Sequence, residues 1–190
     1  MVKNDFISIA MGLKCPGIKD LVDYLESTDF FEAPASTRFH GSYPGGLVEH
    51  SRNTAVILKT LTDVNHLHWE DCESPYIIGL FHDICKANFY GIQMRNVKNE
   101  QTDKWEKKAC YVVKEAFPLG HGEKSLYLIS RFVQLTDEEA MCIRWHMGGY
   151  EPKEAYLALS KAKALYPNIL WTHLADELEC AEARMLRVAV

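Results

Sequence analysis

Tyr76-Ile77-Ile78-Gly79-Leu80-Phe81-His82-Asp83-Ile84-Cys85-Lys86 is an apolar run into which an imidazole and a carboxylate have been set side by side. Its composition predicts a helix heading into a core, and that makes the doublet expensive. Burying an unpaired carboxylate is strongly unfavourable, and the remedies are a cation, hydrogen bonds or protonation. A divalent ion satisfies both side chains at once, because imidazole nitrogen and carboxylate oxygen are ligands for Zn, Mn, Fe, Co and Ni, and oxygen also suits Mg. Working outward, the chain supplies further candidates in His50 upstream and His121, His146 and Asp176 downstream.

The bulk properties bound what surrounds this run. A chain of 190 residues is read as one domain, 1–190, able to bury roughly 70% of its unfolded surface. A net charge of −5 argues against a general electrostatic grip on long duplex nucleic acid, while leaving room for a local basic pocket and small anionic ligands. Cysteines 15, 72, 85, 110, 142 and 180 form no CxxC pair, which fits reduced thiols. The N-terminal stretch, interrupted by Lys14 and Pro16, reads as a poor signal peptide, and no apolar run approaches the roughly 20 residues that span a bilayer. A cytoplasmic protein without membrane partners is the expectation.

Periodicity organises the rest. Ile18, Leu21, Val22 and Leu25 predict a short amphipathic helix, and the Pro- and Gly-punctuated residues 27–45 an ordered loop. A long helix follows from Gly46 to about Thr62, with His50 in its first turns. Ser74 and Pro75 read as N-cap and N1 of the helix expected to hold His82 and Asp83. Between 89 and 117 the pattern switches to near-alternation around a polar turn, Lys98 to Asp103, predicting a β-hairpin insertion. Helical spacing resumes from His121 to Leu135. Thr136 with Glu139 reads as a capping box for a helix to about Met147, and Ala155–Leu165 and Asn168–Arg187 complete a mostly α architecture.

The phrases HGSYPGGLVEHS at 40–51, LFHDICK at 80–86, LGHGEKS at 119–125, RWHMGG at 144–149 and LADELE at 174–179 resemble the HD superfamily of metal-dependent phosphohydrolases over residues 38 to 180. The resemblance implies an HD-domain helical bundle and a mononuclear ligand set of His50, His82, Asp83 and Asp176. Members with two metals add two histidines between the doublet and the last Asp, and His121 and His146 occupy those places. The chain is thus similar to the six-ligand, HD-GYP-like subset, and to the HD domain of bacterial 3′-to-5′ exoribonucleases. One or two divalent ions, Mn, Fe, Ni, Co or Zn with Mg possible, are the implied cofactors. A divalent ion lowers the pKa of bound water from about 15.7 toward roughly 7 to 9, and a second ion roughly 3.5–4 Å away holds both water and phosphoryl oxygen. Asp83 is then the bridging ligand, and Lys86, one turn later, a phosphate or transition-state contact.

Around this core the sequence offers weaker candidates. Arg38 and His40, in the loop before the first ligand helix, and Lys124, three residues after His121, are possible phosphate contacts, each weighed against a surface role. Arg144 reads as structural, because i−2 faces away from His146. His66, His68 and His173 are left out of the ligand set, Gly45-Gly46 reads as a tight turn rather than a phosphate cradle, and the four tryptophans read as packing residues. The expected activity is hydrolysis of a phosphate ester of a nucleotide or short oligonucleotide, with a phosphodiester favoured. A nucleoside mono- or triphosphate hydrolase, a nucleotide-binding module without turnover and a di-iron oxygenase are the alternatives.

Overall fold

The computed structural model describes residues 2–99 and 102–188, with side chains described as far as Ala181. They form eight α-helices and one antiparallel hairpin: α1 (Val2–Gly12), α2 (Ile18–Glu26), α3 (Gly46–Asn65), α4 (Ser74–Phe81), β1 (Tyr90–Lys98), β2 (Trp105–Val113), α5 (His121–Ile129), α6 (Asp137–Trp145), α7 (Tyr156–Leu165) and α8 (Asn168–Val188). Short 3-10 turns cover Ile84–Lys86, Gly148–Tyr150 and Lys153–Ala155. The expectation of a mostly helical protein carrying a hairpin holds. No described helix is long and apolar enough to cross a membrane, and all six cysteines are free.

Helix α3 is the axis of the molecule, packed against α1, α4 and α8, while α6 joins α5 to α8. Its entry is prepared by the loop at 27–45, which is ordered by backbone hydrogen bonds from Gly45 to Glu32, Leu47 to Ala33 and Ala35 to Gly41. Gly45 takes a left-handed conformation (φ 80°), and a Cβ on Gly46 would lie 2.0 Å from the Gly41 carbonyl oxygen, so the glycine pair makes a tight turn as the sequence suggests. Helix α4 then crosses α3 closely. A Cβ on Gly79 would lie 2.3 Å from the Ala55 Cα, so only glycine lets the two backbones approach this far. Because His50 lies five residues before Ala55 and His82 three after Gly79, this crossing brings the two imidazoles together.

Three expectations need correcting, and one helix was not anticipated. The helix predicted to contain the doublet stops at Phe81: His82 is its C-terminal cap, and Asp83 (φ −110°, ψ 15°) turns the chain into the 3-10 segment. Apolar spacing does not mark this stop, since Ile84 and Cys85 are buried beyond it. Ser74 is the first helical residue rather than the cap, because its hydroxyl donates to Glu139 Oε1 at 2.8 Å instead of closing the helix start. The predicted helix 121–135 ends at Ile129, where Ser130 Oγ donates back to the Leu126 carbonyl and Phe132 turns to stack on Tyr24. The N-terminal stretch, read only as a poor signal peptide, is α1, whose fully buried Phe6 meets Phe30, Phe31 and Phe81 with ring centroids 5.4, 5.6 and 5.7 Å away.

Local chemistry explains the elements that were read correctly. At the start of α6, Thr136 Oγ1 accepts from Glu139 N at 3.1 Å and Glu139 Oε2 accepts from Thr136 N at 2.9 Å, the reciprocal pair of a capping box. In the hairpin Tyr90 pairs with Val113 and Lys98 with Trp105, in unbroken register. The ribbon is closed at its base by a hydrogen bond from Lys114 N to the Phe89 carbonyl, and is tied to the 27–45 loop where Tyr90 Oη donates to the Ala35 carbonyl at 3.1 Å.

Candidate metal centre

Five segments converge on one buried point. Helix α3 supplies His50, the end of α4 supplies His82 and Asp83, the first residue of α5 is His121, the end of α6 supplies His146, and α8 supplies Asp176. The ligand atoms of His50, His82 and Asp83 lie within 4.8 Å of one another, as do those of His82, His146 and Asp176, and those of Asp83, His121 and His146. All six residues singled out from the sequence are therefore brought together.

The two oxygens of Asp83 face different partners. Oδ2 lies 3.3 Å from His50 Nε2 and 3.6 Å from His82 Nε2; Oδ1 lies 2.8 Å from His121 Nε2 and 3.6 Å from His146 Nε2. Asp176 Oδ1 joins the first group, 3.2 Å from His50 Nε2 and 3.9 Å from His82 Nε2. The arrangement is two adjoining half-sites sharing one carboxylate.

Hydrogen bonds on the far side of each ring show which nitrogen faces inward with a lone pair. His82 Nδ1 donates to the Gly79 carbonyl at 2.9 Å and His146 Nδ1 to the Ile143 carbonyl at 2.7 Å. A carbonyl only accepts, so in each neutral ring the proton sits on Nδ1 and Nε2 presents its lone pair to the centre. His50 Nδ1 is likewise bound to Glu179 Oε2 at 2.6 Å. Carboxylate or carbonyl support behind an imidazole is the arrangement that orients metal-binding histidines. His146 Nε2 is buried without any hydrogen-bond partner, and His50 and His82 Nε2 stand 3.1 Å apart. An unsatisfied buried acceptor of this kind calls for a cation or donor.

The protein's own charges meet part of that demand. Burial opposes charge on His50, but hydrogen bonds with Asp176, Asp83 and Glu179 outweigh it and raise its pKa well above the ordinary histidine value. His121 behaves similarly: burial works against protonation, yet Cys85 and Asp83 raise its pKa to about 10. Burial pushes His82 the other way, down to about 4, so that ring stays neutral. Asp83 resists ionisation through burial, but Lys86, His82, His121 and His146 hold its pKa well below the usual carboxylate range. Burial likewise opposes ionisation of Asp176, and His50 reverses the balance and keeps that carboxyl ionised. The centre is thus a set of carboxylates and imidazoles in which protons and one lysine stand where a divalent ion fits: N and O donors, inward lone pairs and one shared carboxylate.

The remaining candidates fall at different distances from this point. Lys86 Nζ lies 2.6 Å from Asp83 Oδ2, carried there by the 3-10 turn, and this contact raises its pKa although burial opposes the charge. The His40 ring lies 5.3 Å from that of His50, and burial, with His50 and Lys86 nearby, pushes its pKa down to about 4. Arg38, two residues away, lines a cleft against the hairpin. Lys124 is engaged elsewhere, its ammonium 3.0 Å from Glu115 Oε1 and 5.2 Å from the centre of the Phe89 ring. Arg144 is structural as read, bound to Glu123 and to Glu151 and lying on Trp145.

Sequence reasoning passed over two supporting residues, and it left a third, His173, out of the ligand set. Glu179, three residues after Asp176 and so on the same face of α8, holds His50; the i,i+3 spacing was the available signal. Cys85 Sγ lies 3.4 Å from His121 Nδ1, a contact that spacing within the Asp83–Lys86 turn does not announce. His173 Nδ1 donates to the His146 carbonyl at 2.8 Å, fixing the backbone that carries that ligand. The centre opens on the side of His121, whose side chain is 30% exposed and faces a cavity of about 530 Å³ lined by Gly120, Glu123, Arg144, Met147 and Tyr150 among others.

Comparison with known proteins adds no name to this geometry: no family model, no curated protein and no solved structure matches the chain.

Proposed function

We propose that the chain is a metal-dependent phosphohydrolase of the HD type, acting on a phosphate ester of a nucleotide or short oligonucleotide, with a phosphodiester favoured. The observation that carries this reading is the split of Asp83, one oxygen toward His50 and His82 and the other toward His121 and His146. A carboxylate shared in this way between two half-sites is what a pair of divalent ions requires, and the phrases around the six residues resemble those of HD phosphohydrolases. His50, His82, Asp83 and Asp176 would hold one ion, and Asp83, His121 and His146 a second. When bound, such ions supply an acidified water and neutralise charge on phosphoryl oxygens.

The chain's own residues supply orientation and charge. Glu179 and the Gly79 and Ile143 carbonyls hold three imidazoles in the tautomer that directs Nε2 inward. Lys86 keeps a positive charge beside Asp83, where it would offset negative charge gathering at the centre. His40, neutral at pH 7, walls the centre next to His50 without adding repulsion to a cation. The buried aliphatic surround excludes bulk water and strengthens each of these interactions.

The test is metal analysis of gently purified protein with a panel of phosphate esters, repeated on Asp83→Ala. Loss of both bound metal and turnover in the variant is expected, and unchanged turnover would falsify the mechanism. Products separate the readings: mononucleotides released from a short RNA or a cyclic dinucleotide, with free nucleotides untouched, mark a diesterase. Phosphate or nucleoside released from free nucleotides marks a nucleotidase, tight nucleotide binding with no turnover a binding module, and strict dependence on iron and oxygen an oxygenase.

A further inference from the structure

The hairpin is chemically unlike the rest of the molecule. Between Tyr90 and Val113 there are five basic and three acidic residues, a local excess of positive charge in a chain whose net charge is −5. Arg95 and Lys108 sit directly opposite one another in the register. Like charges placed so are destabilising unless an anion lies between or beside them. Both are exposed, as is Arg38 across from them, and among the described residues none of the three is ion-paired.

Aromatic surface accompanies the charge. Trp105, read from the sequence as a packing residue, is 70% exposed, and it shares a cleft of about 780 Å³ with Arg38, Arg95, Lys108, Tyr111 and Thr37. A flat aromatic in one cleft with guanidinium and ammonium groups matches the chemistry of a single nucleic-acid strand: bases to stack, phosphates to pair. Neither an isolated phosphate nor a mononucleotide needs so long a surface. The cleft borders the loop that flanks the metal centre. Its wall includes residues 37, 38 and 42, and the same loop carries His40, whose ring is 5.3 Å from that of His50.

We infer that the cleft between residues 37–42 and the hairpin is a track for a single-stranded oligonucleotide, with Arg38, Arg95 and Lys108 on its phosphates and Trp105 under a base. As a surface that holds a substrate strand beside the centre, this rests on the phosphohydrolase reading; as a binding surface it is measured separately.

The experiment is equilibrium anisotropy with a fluorescein-labelled phosphorothioate single strand of about six nucleotides, within the range of site sizes such folds use. The metal-loaded full chain is compared with Arg95→Gln/Lys108→Gln and with Trp105→Ala, each checked for unchanged melting temperature and metal content. The charge variant is expected to weaken binding about tenfold and to reduce the slope of log affinity against log salt by about 1.4, since each phosphate contact on a single strand contributes roughly 0.7. Trp105→Ala is expected to weaken binding about tenfold with the slope unchanged. Equal affinity in all three proteins overturns the inference, as does competition by AMP as effective as by the unlabelled strand. Displacement by poly-glutamate with no effect of Trp105→Ala also overturns it, by showing an acidic-polymer surface instead. Because binding needs no turnover, failure of the hydrolase reading leaves this result legible on its own.

Discussion

At the scale of single residues, the centre depends on protons being where the tautomers require. His50 keeps its orientation through Glu179, so Glu179→Ala is expected to lower metal affinity about 10- to 100-fold. Titration with a fluorescent chelator in competition measures this. Metal binding is also expected to release protons. His50 and His121 have raised pKa values, so both are protonated at pH 7 and must lose a proton before their lone pairs can bind. His82, pushed down to about 4, is already neutral and contributes none. Calorimetry in buffers of different ionisation enthalpy should therefore show about two protons released at pH 7. The His121 share fades only as pH approaches about 10, so affinity rises with pH across that window. These residues were legible in the sequence because ionisable side chains in apolar helices stand out. Glu179 and Cys85 were not, since a glutamate on a polar helix face and a cysteine in a core carry no local contradiction.

At the scale of elements, the crossing of α3 and α4 is the geometric step that makes the doublet useful. Gly79→Ala would press a methyl group against the Ala55 backbone, where no flexible side chain can yield. Overpacking of this kind costs about 1–3 kcal/mol, and the helices must part, carrying His82 from His50. Reduced melting temperature together with reduced metal content is the expected pair of results; stability loss with full metal content would count against the crossing as the positioning device. Element type was readable throughout α2 to α8 and in the hairpin, where periodicity is long and the capping box and glycine pair punctuate it. Element ends were less so. Helix α4 stops before Asp83 while burial continues, and the 121–135 segment ends early because Ser130 bonds back to its own helix; neither event alters hydrophobic spacing. Helix α1 was missed because Ile7, Ile9 and Met11 crowd its buried residues Phe6 and Ala10 into a short, nearly continuous apolar stretch without a clear helical period.

At the scale of the whole molecule, the hairpin and the helical body are separable in their roles. The strands pair with each other, the base is closed by Lys114 N and the Phe89 carbonyl, and no proposed ligand lies between residues 90 and 113. Replacing residues 91–112 by a short glycine turn is therefore expected to leave a folded chain that binds metal as before, with single-strand affinity lost. Loss of metal from that variant would show that the hairpin shapes the centre. Metal itself should stabilise the fold: at a free concentration about 100 times its dissociation constant it adds about 2.7 kcal/mol, or about 5–10 °C in a domain of this size. A thermal scan with and without chelator reads the difference.

The donors that would embrace an ion are contributed by stretches as far apart as His50 and Asp176, with Glu179 bracing the first of them from just beyond the last. The cage is therefore complete only when α8 has docked against α3, which carries the first of these donors. A chain with that last helix undocked would offer an ion only an incomplete grip, so uptake is expected to follow completion of the tertiary fold rather than to guide its early steps.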